Sequence, residues 1–198
     1  VPLARFVANN LGLLNPTFSR YQIGQVFRGE HPQKGRRREF TQFDFDVVGS
    51  SDFREDVRVI SAAIEGAKKS GLKDSIIQIN DREIFDEVGF TKEQVITIDK
   101  IDKIGRVEVE KVVGNLDKLE NSKKTELLQI IFSVLSKKGF VENVDFTFNA
   151  FLGRGLNYYT STIFELKLDK TPGGLSIGGG GRYDNLIGMF AGRPISAV

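Results

Sequence analysis

The sequence predicts an α+β protein: an antiparallel sheet flanked by helices and interrupted by a helical insertion. Three observations lead there. Two strand-like runs, Tyr21–Phe27 and Glu39–Val48, bracket a short polar loop, as an antiparallel hairpin does. A charge-rich stretch from Thr91 to about Lys138 has helical periodicity, with breaks near Gly105 and Gly114. Strand composition then returns at Phe146–Phe148 and Tyr158–Leu168, ahead of the glycine-rich run TPGGLSIGGGGRYDNL. Strands, then helices, then strands again suit an α+β chain better than alternating βαβ units.

The elements follow in order. Val1–Leu13 carries Leu3, Phe6, Val7 and Leu11 at helical spacing, with Pro2 suited to a first turn. Asn15–Pro16 breaks that helix before the hairpin. Tyr21, Ile23 and Phe27 share one face of the first strand, and Phe43, Phe45 and Val47 share one face of the second. The opposite faces carry Gln22, Val26, Arg28 and Glu30, and Arg38, Gln42, Asp44 and Asp46. Asp52 is the expected N-cap of the next helix, with Glu55 completing a capping box. That helix runs to about Ser70 and stops at Gly71. Ser75–Asn80 reads as a short buried strand, and Asp81–Val88 as a helix closed by Gly89. In the middle region Glu126–Lys138 is the clearest helix, with an apolar stripe of Leu127, Ile130, Ile131, Val134 and Leu135. The middle region shows no site-like polar clustering and reads as an appended lobe. Pro172–Gly174 is the expected turn of a second hairpin, the glycines Gly178–Gly181 follow a short strand, and a short helix begins near Tyr183. The expected division is residues 1–90 and 146–198 for the core and 91–145 for the insertion.

Composition bounds the chemistry. The 198 residues carry a net charge of +2, so any attraction to polyanions must be local. There is no cysteine, which rules out disulfides, a thiolate nucleophile and a Cys-ligated metal within this sequence. The single histidine, His31, leaves no basis for a His-rich zinc site, and no resident metal site is expected. No run of 18 apolar residues exists, and a cytoplasmic protein is the expectation.

The hairpin is the most informative segment. Its tip holds Lys34, Arg36, Arg37 and Arg38, four cations in five residues, around Gly35. Such a cluster suits polyphosphate or a nucleic-acid backbone, and it equally suits a solvated loop. Arg28 offers a planar donor fork that matches phosphate, with Glu30 two residues on. Gln42, Asp44 and Asp46 line one strand face, where two carboxylates repel unless solvated or paired with cations. That face fits recognition of an ammonium group and also fits an exposed sheet. Farther along, Arg154 stands between Gly153 and Gly155, followed by Tyr158 and Tyr159, so a sharp turn can project the guanidinium. The run Gly178–Gly181 lacks the spacing of a phosphate loop and instead marks close backbone packing.

These segments resemble a known family. RGEHPQKGRRREFTQFDFD, from Arg28 to Asp46, is similar to motif 2 of the class II aminoacyl-tRNA synthetases in its histidyl form. RGLNYYTSTIFE resembles the first histidine-specific signature, usually RGLDYYT, and GGGGRYDNL resembles the second, usually GGGRYD. INDREIF and IDKIDKIG are similar to the family's connecting region. The resemblance spans nearly the whole chain, in order. It implies a class II sheet of six to seven antiparallel strands. It also implies the reaction of histidine with ATP and Mg²⁺ to give histidyl-adenylate, then transfer to the 3′ end of tRNA(His), in a homodimer. By resemblance, Arg28 grips the α-phosphate, Glu30 lies near the adenine and Arg36 meets the outer phosphates. Lys34, Arg37 and Arg38 face ATP or the tRNA acceptor end. Gln42 and Asp46, the latter usually Glu in the family, hold the histidine amino group. Arg154 is the catalytic cation, and Tyr158, Tyr159 and Tyr183 bound the imidazole pocket. Asn157 departs from the usual Asp.

The resemblance also places motif 1 before Val1, and motif 3 and the anticodon-binding domain after Val198. The chain is therefore expected to be a catalytic-domain fragment, inactive alone. Two other readings compete. One is a non-catalytic relative, such as the regulatory subunit of ATP phosphoribosyltransferase or a tRNA-sensing domain. The other is a plain nucleic-acid-binding module, which leaves the polar strand face and RGLNYY unexplained.

Overall fold

The fold was analysed in a computed structural model, which describes residues 1–32, 35–155, 158–171 and 173–198. Helix α1 (Pro2–Asn10) leads into the hairpin β1 (Phe18–Phe27) and β2 (Glu39–Val48), paired from Phe18↔Val48 to Phe27↔Glu39. Helix α2 (Phe53–Lys69) follows, then β3 (Ile76–Asp81) and α3 (Arg82–Val88). The helical middle region comprises α4 (Lys92–Ile98), α5 (Ile101–Ile104), α6 (Arg106–Val113), α7 (Asp117–Glu120) and α8 (Glu126–Lys137). Strands β4 (Phe146–Phe148), β5 (Thr162–Lys167) and β6 (Ser176–Gly181) and the short α9 (Gly188–Ala191) complete the chain.

Strand order in the larger sheet is β4-β3-β5-β6. β3 and β6 each run antiparallel to β5, whereas β3 and β4 are parallel, so this sheet is mixed rather than wholly antiparallel. β3 occupies an interior position because its side chains are apolar on both faces: Ile76, Ile77 and Ile79 are all buried. Helix α8 covers the sheet together with α2. Its residues Leu128, Ile131 and Leu135 are fully buried, and Phe132 meets Phe146 edge-on at 5.0 Å between ring centroids. Each such leucine or isoleucine contributes roughly 1.5–3 kcal/mol by leaving water.

Several elements differ from expectation. The capping box at Asp52 does not form: the Asp52 carboxylate accepts from the Arg54 amide and pairs with its guanidinium, leaving Glu55 to approach Arg58. The strand expected over Tyr158–Leu168 shortens to Thr162–Lys167, because Tyr158 and Tyr159 leave the ladder to pack as rings. The four glycines lie inside β6, paired with Leu166, Glu165, Phe164 and Ile163, not after a strand. The helix expected near Tyr183 starts only at Gly188. Of the second hairpin's expected turn, Pro172 lies outside the described residues. On the first hairpin the apolar face points outward, with Tyr21 74%, Ile23 64% and Phe27 71% exposed.

One junction positions everything that follows. The segment Ser196–Val198 pairs with the end of β2: Val198 and Val47 exchange both backbone hydrogen bonds, at 2.8 and 3.0 Å. On its other side Ala197 O accepts from the Tyr183 amide at 2.7 Å. The hairpin and the end of β6 are thus stitched together, and Asp46 arrives beside Tyr183. Among the described residues no helix is long and apolar enough to cross a membrane.

Candidate active site

The floor of the site is the polar face of β2. Asp44 and Asp46 are bridged by a residue that composition did not single out: the Arg20 guanidinium lies 2.5 Å from Asp44 and 2.7 Å from Asp46, leaving one net negative charge on the floor. Arg20 sits directly across the ladder from Asp46, so the hairpin register supplies the cation. Gln42 joins from one side by donating to Asp44 at 3.1 Å. Tyr183 closes the other side, its Oη donating to Asp46 at 2.7 Å.

Three tyrosines form the wall. Tyr158 meets Tyr159 with 4.7 Å between ring centroids, and meets Tyr183 edge-on at 6.2 Å. Burial pushes the Tyr183 hydroxyl above the usual phenol range, and the Asp46 charge pushes it the same way. Tyr158 is raised first by burial and then by Tyr159, with Arg154 opposing. Both phenols stay protonated at neutral pH, and Tyr183 uses its proton on Asp46.

Arg154 stands at the far end, in the left-handed region at φ 47°. Its Nη1 donates to Glu165 at 3.0 Å, and Glu165 also pairs with Lys167 at 2.8 Å. Burial opposes ionisation of Glu165, but Lys167, Ser176 and Arg154 outweigh it and hold the carboxyl below its usual range. Arg154 Nε is buried and, among the described residues, has no hydrogen-bond partner. The glycines of β6 explain how this side chain fits. A Cβ on Gly179 would lie 2.6 Å from Arg154 Nη1 and 2.9 Å from Phe164 O. On Gly180 it would meet the Phe164 ring at 2.8 Å, and on Gly181 the Tyr159 ring at 2.9 Å. The run is a close-packed back wall, not a linker. Gly179→Ala is expected to cost about 1–3 kcal/mol in thermal unfolding, because the Phe164 carbonyl is fixed in the ladder. Gly178→Ala, whose Cβ would meet Leu166 at an ordinary 3.7 Å, is expected to be near neutral in the same measurement.

A buried clamp supports the wall from behind. Arg182 bonds to Asp56 through Nε at 3.1 Å and through Nη2, and reaches Ser50 O at 3.0 Å and Asp52 O at 3.1 Å. It ties the residue before Tyr183 to the start of α2.

The comparisons with known proteins bear on this arrangement. A profile described as "Histidyl-tRNA synthetase" matches residues 103–198. The histidine–tRNA ligase of Aeropyrum pernix is 39% identical to this chain, over all of it and 53% of the relative. The crystal structure of histidyl-tRNA synthetase from Nostoc sp. PCC 7120 superposes at TM-score 0.80 with 28% identity, over all of this chain and 55% of that one. This chain belongs to the histidyl-tRNA synthetase family. It spans about half the length of the curated relatives it matches, 53% for the first and 50% for that of Borreliella afzelii. A Bacillus halodurans structure named as an ATP phosphoribosyltransferase regulatory subunit/histidyl-tRNA synthetase shares the fold, at TM-score 0.76 and 22% identity, over 99% of this chain and 59% of that one.

Of the residues picked out by the histidyl-tRNA synthetase signatures, the structure joins Asp46, Tyr183, Tyr158 and Tyr159 in one chain of contacts, with Gln42 beside Asp44, while Arg154 packs against the same glycine strand β6 and pairs with Glu165. The loop cations lie apart: from Asp46 to Arg38 is eight residues of strand, roughly 26 Å. Arg36, Arg37, Arg38 and Glu30 are exposed. The Arg28 guanidinium packs over the Phe40 ring at 4.2 Å, and its Nε donates to Arg37 O at 2.9 Å. The loop is steadied where Gly35, at φ 76°, lies against Leu175 of the second hairpin. Lys34 and Asn157 lie outside the described residues. The middle region, expected to hold nothing site-like, contributes Asp99 to the Arg154 turn.

Proposed function

We propose that this chain is the histidine-activating part of a histidine–tRNA ligase. One observation carries the reading: the 2.7 Å bond from Tyr183 to Asp46 joins the motif 2 strand to the second signature across 137 positions. These residues offer carboxylates for an ammonium group, phenol rings to enclose an imidazole, and an arginine for a carboxylate and phosphate.

In this reading Gln42 and Asp46 hold the histidine amino group, and Tyr158, Tyr159 and Tyr183 enclose the imidazole. The histidine carboxylate attacks the α-phosphorus of ATP, forming the acyl–phosphate bond as the bond to pyrophosphate breaks. Arg154 and Arg28 stabilise the charge that develops on the α-phosphate oxygens, so catalysis is positioning and electrostatics. Arg28 reaches the phosphate by releasing Arg37 O. Glu30 lies near the adenine, Arg36 near the outer phosphates, and Lys34, Arg37 and Arg38 meet ATP or the tRNA(His) acceptor end. Among the described residues no three His, Asp or Glu side chains converge as a metal cage. Mg²⁺ would come bound to the ATP phosphates and offset their charge. The adenylate then passes its histidyl group to the tRNA 3′ end with release of AMP. We place the activity in a cytoplasmic homodimer, and the division at residues 90 and 145 belongs to the same proposal.

The test is amino-acid-dependent ATP–pyrophosphate exchange by the whole protein. Exchange is expected with histidine alone among the amino acids. Exchange driven by a different amino acid, or none with any, would sink the reading, the latter in favour of a non-catalytic relative.

A further inference from the structure

The Arg154 turn is held by a residue of the insertion. Asp99, at the C-terminal end of α4, accepts three successive backbone amides: Gly153 at 3.1 Å and Arg154 at 2.7 Å on Oδ1, and Gly155 at 3.2 Å on Oδ2. A carboxylate at a helix C-terminus opposes the helix dipole, so α4 gains nothing locally from Asp99. Among the described residues its side-chain partners are all on the turn. Gly153 lets the turn press onto α4, since a Cβ there would lie 2.9 Å from Val95 O. The carbonyl side of the same segment is gripped from β3 and α3. Asn80 Nδ2 donates to Ala150 O and Leu152 O, each at 3.0 Å, and Arg82 donates to Gly153 O at 3.3 Å. Amides and carbonyls are thus fixed from opposite sides, and only the amide side depends on the insertion.

We infer that Asp99 is a positioning residue for Arg154. Its carboxylate holds Arg154 in the left-handed conformation that no side chain favours, and so aims the guanidinium. The helical insertion thereby takes part in adenylate formation without touching substrate. This rests on Arg154 being the catalytic cation proposed above.

The test is a double-variant cycle in the whole protein, read by histidine-dependent ATP–pyrophosphate exchange. Asp99→Ala is expected to lower kcat about 10–100-fold, as misplacing a catalytic group by about 1 Å does, with KM for ATP and histidine nearly unchanged. In an Arg154→Ala background the same change is expected to cost less than about 2-fold, because the group it aims is gone. Asp99→Asn, isosteric and keeping one acceptor oxygen for Gly153 and Arg154, is expected to fall between wild type and Asp99→Ala. It replaces the alanine variant in the cycle if that variant does not fold. An equal loss with and without Arg154, or no loss, overturns the inference. Amide hydrogen exchange at Gly153–Gly155 reads the clamp independently of activity. Faster exchange in the Asp99 variant supports it, and unchanged exchange overturns it. Wild-type protein inactive with histidine overturns the histidyl-adenylate reading instead, so the two failures are distinguishable.

Discussion

Replacing Arg154 with alanine is expected to lower kcat for histidine-dependent pyrophosphate exchange by about 10²–10³-fold while the protein stays folded. The magnitude is that of removing one preorganised donor from a developing oxyanion, about 3–4 kcal/mol. Folding is spared for local reasons. Arg154 Nη1 pairs with Glu165, but Lys167 remains 2.8 Å from that carboxylate, so no orphan charge is left. The three amides bound by Asp99 belong to the backbone and survive the change. Arg154→Gly sharpens the test. At φ 47° a side chain costs roughly 1–2 kcal/mol that glycine does not. The glycine variant is expected to be as inactive as the alanine one, yet to melt no lower than wild type. Residual exchange within about tenfold of wild type would remove Arg154 from the chemistry.

The Arg182 clamp is expected to give the largest stability effect. Asp56 is fully buried and Arg182 is 5% exposed, so Arg182→Met strands a carboxylate and removes donors from Ser50 O and Asp52 O. Breaking one side of a buried pair costs about 3–5 kcal/mol. For a chain of this size that is a fall of roughly 6–20 °C in Tm. The double variant Asp56→Leu/Arg182→Met, with no buried charge left, is expected to recover part of it. Burial already raises the Asp56 carboxyl above its ordinary value, with Arg182 opposing the rise. Without Arg182 the folded value climbs further. A carboxyl raised in the folded state favours folding below its unfolded value of about 3.9 and loses that advantage as pH rises through the folded one. The deficit of Arg182→Met is therefore expected to be smallest near pH 4 and largest at neutral pH. Thermal unfolding across that range checks it, and a single variant melting within about 2 °C of wild type would contradict the clamp.

Much of this was legible in the sequence where the information is local. The β2 boundaries came directly from alternation, and α3 ended at Gly89 because a left-handed cap at φ 91° suits glycine. The site residues in the three signatures were legible as chemistry: carboxylates, phenols and an arginine between glycines. What failed was long-range. Arg20 gave no composition signal, though counting the hairpin register would have set it against Asp46. Asp99 carried no signal, because nothing in a seven-residue helix says that a carboxylate at its end meets amides 54 to 56 positions away. Arg182 looked like one more cation in GRYD until burial made it the partner of Asp56.

The sequence by itself determined the α+β class, the hairpin, the order of the signatures and the kinds of groups on offer. These follow from periodicity and residue chemistry within a few turns of chain. The tertiary structure alone decided that the glycine run is a wall, that the last residues stitch Tyr183 to Asp46, and that Asp99 at the end of α4 binds the Arg154 turn. Those facts depend on which distant backbones approach within hydrogen-bonding distance. That is a property of packing as a whole, and no single segment encodes it.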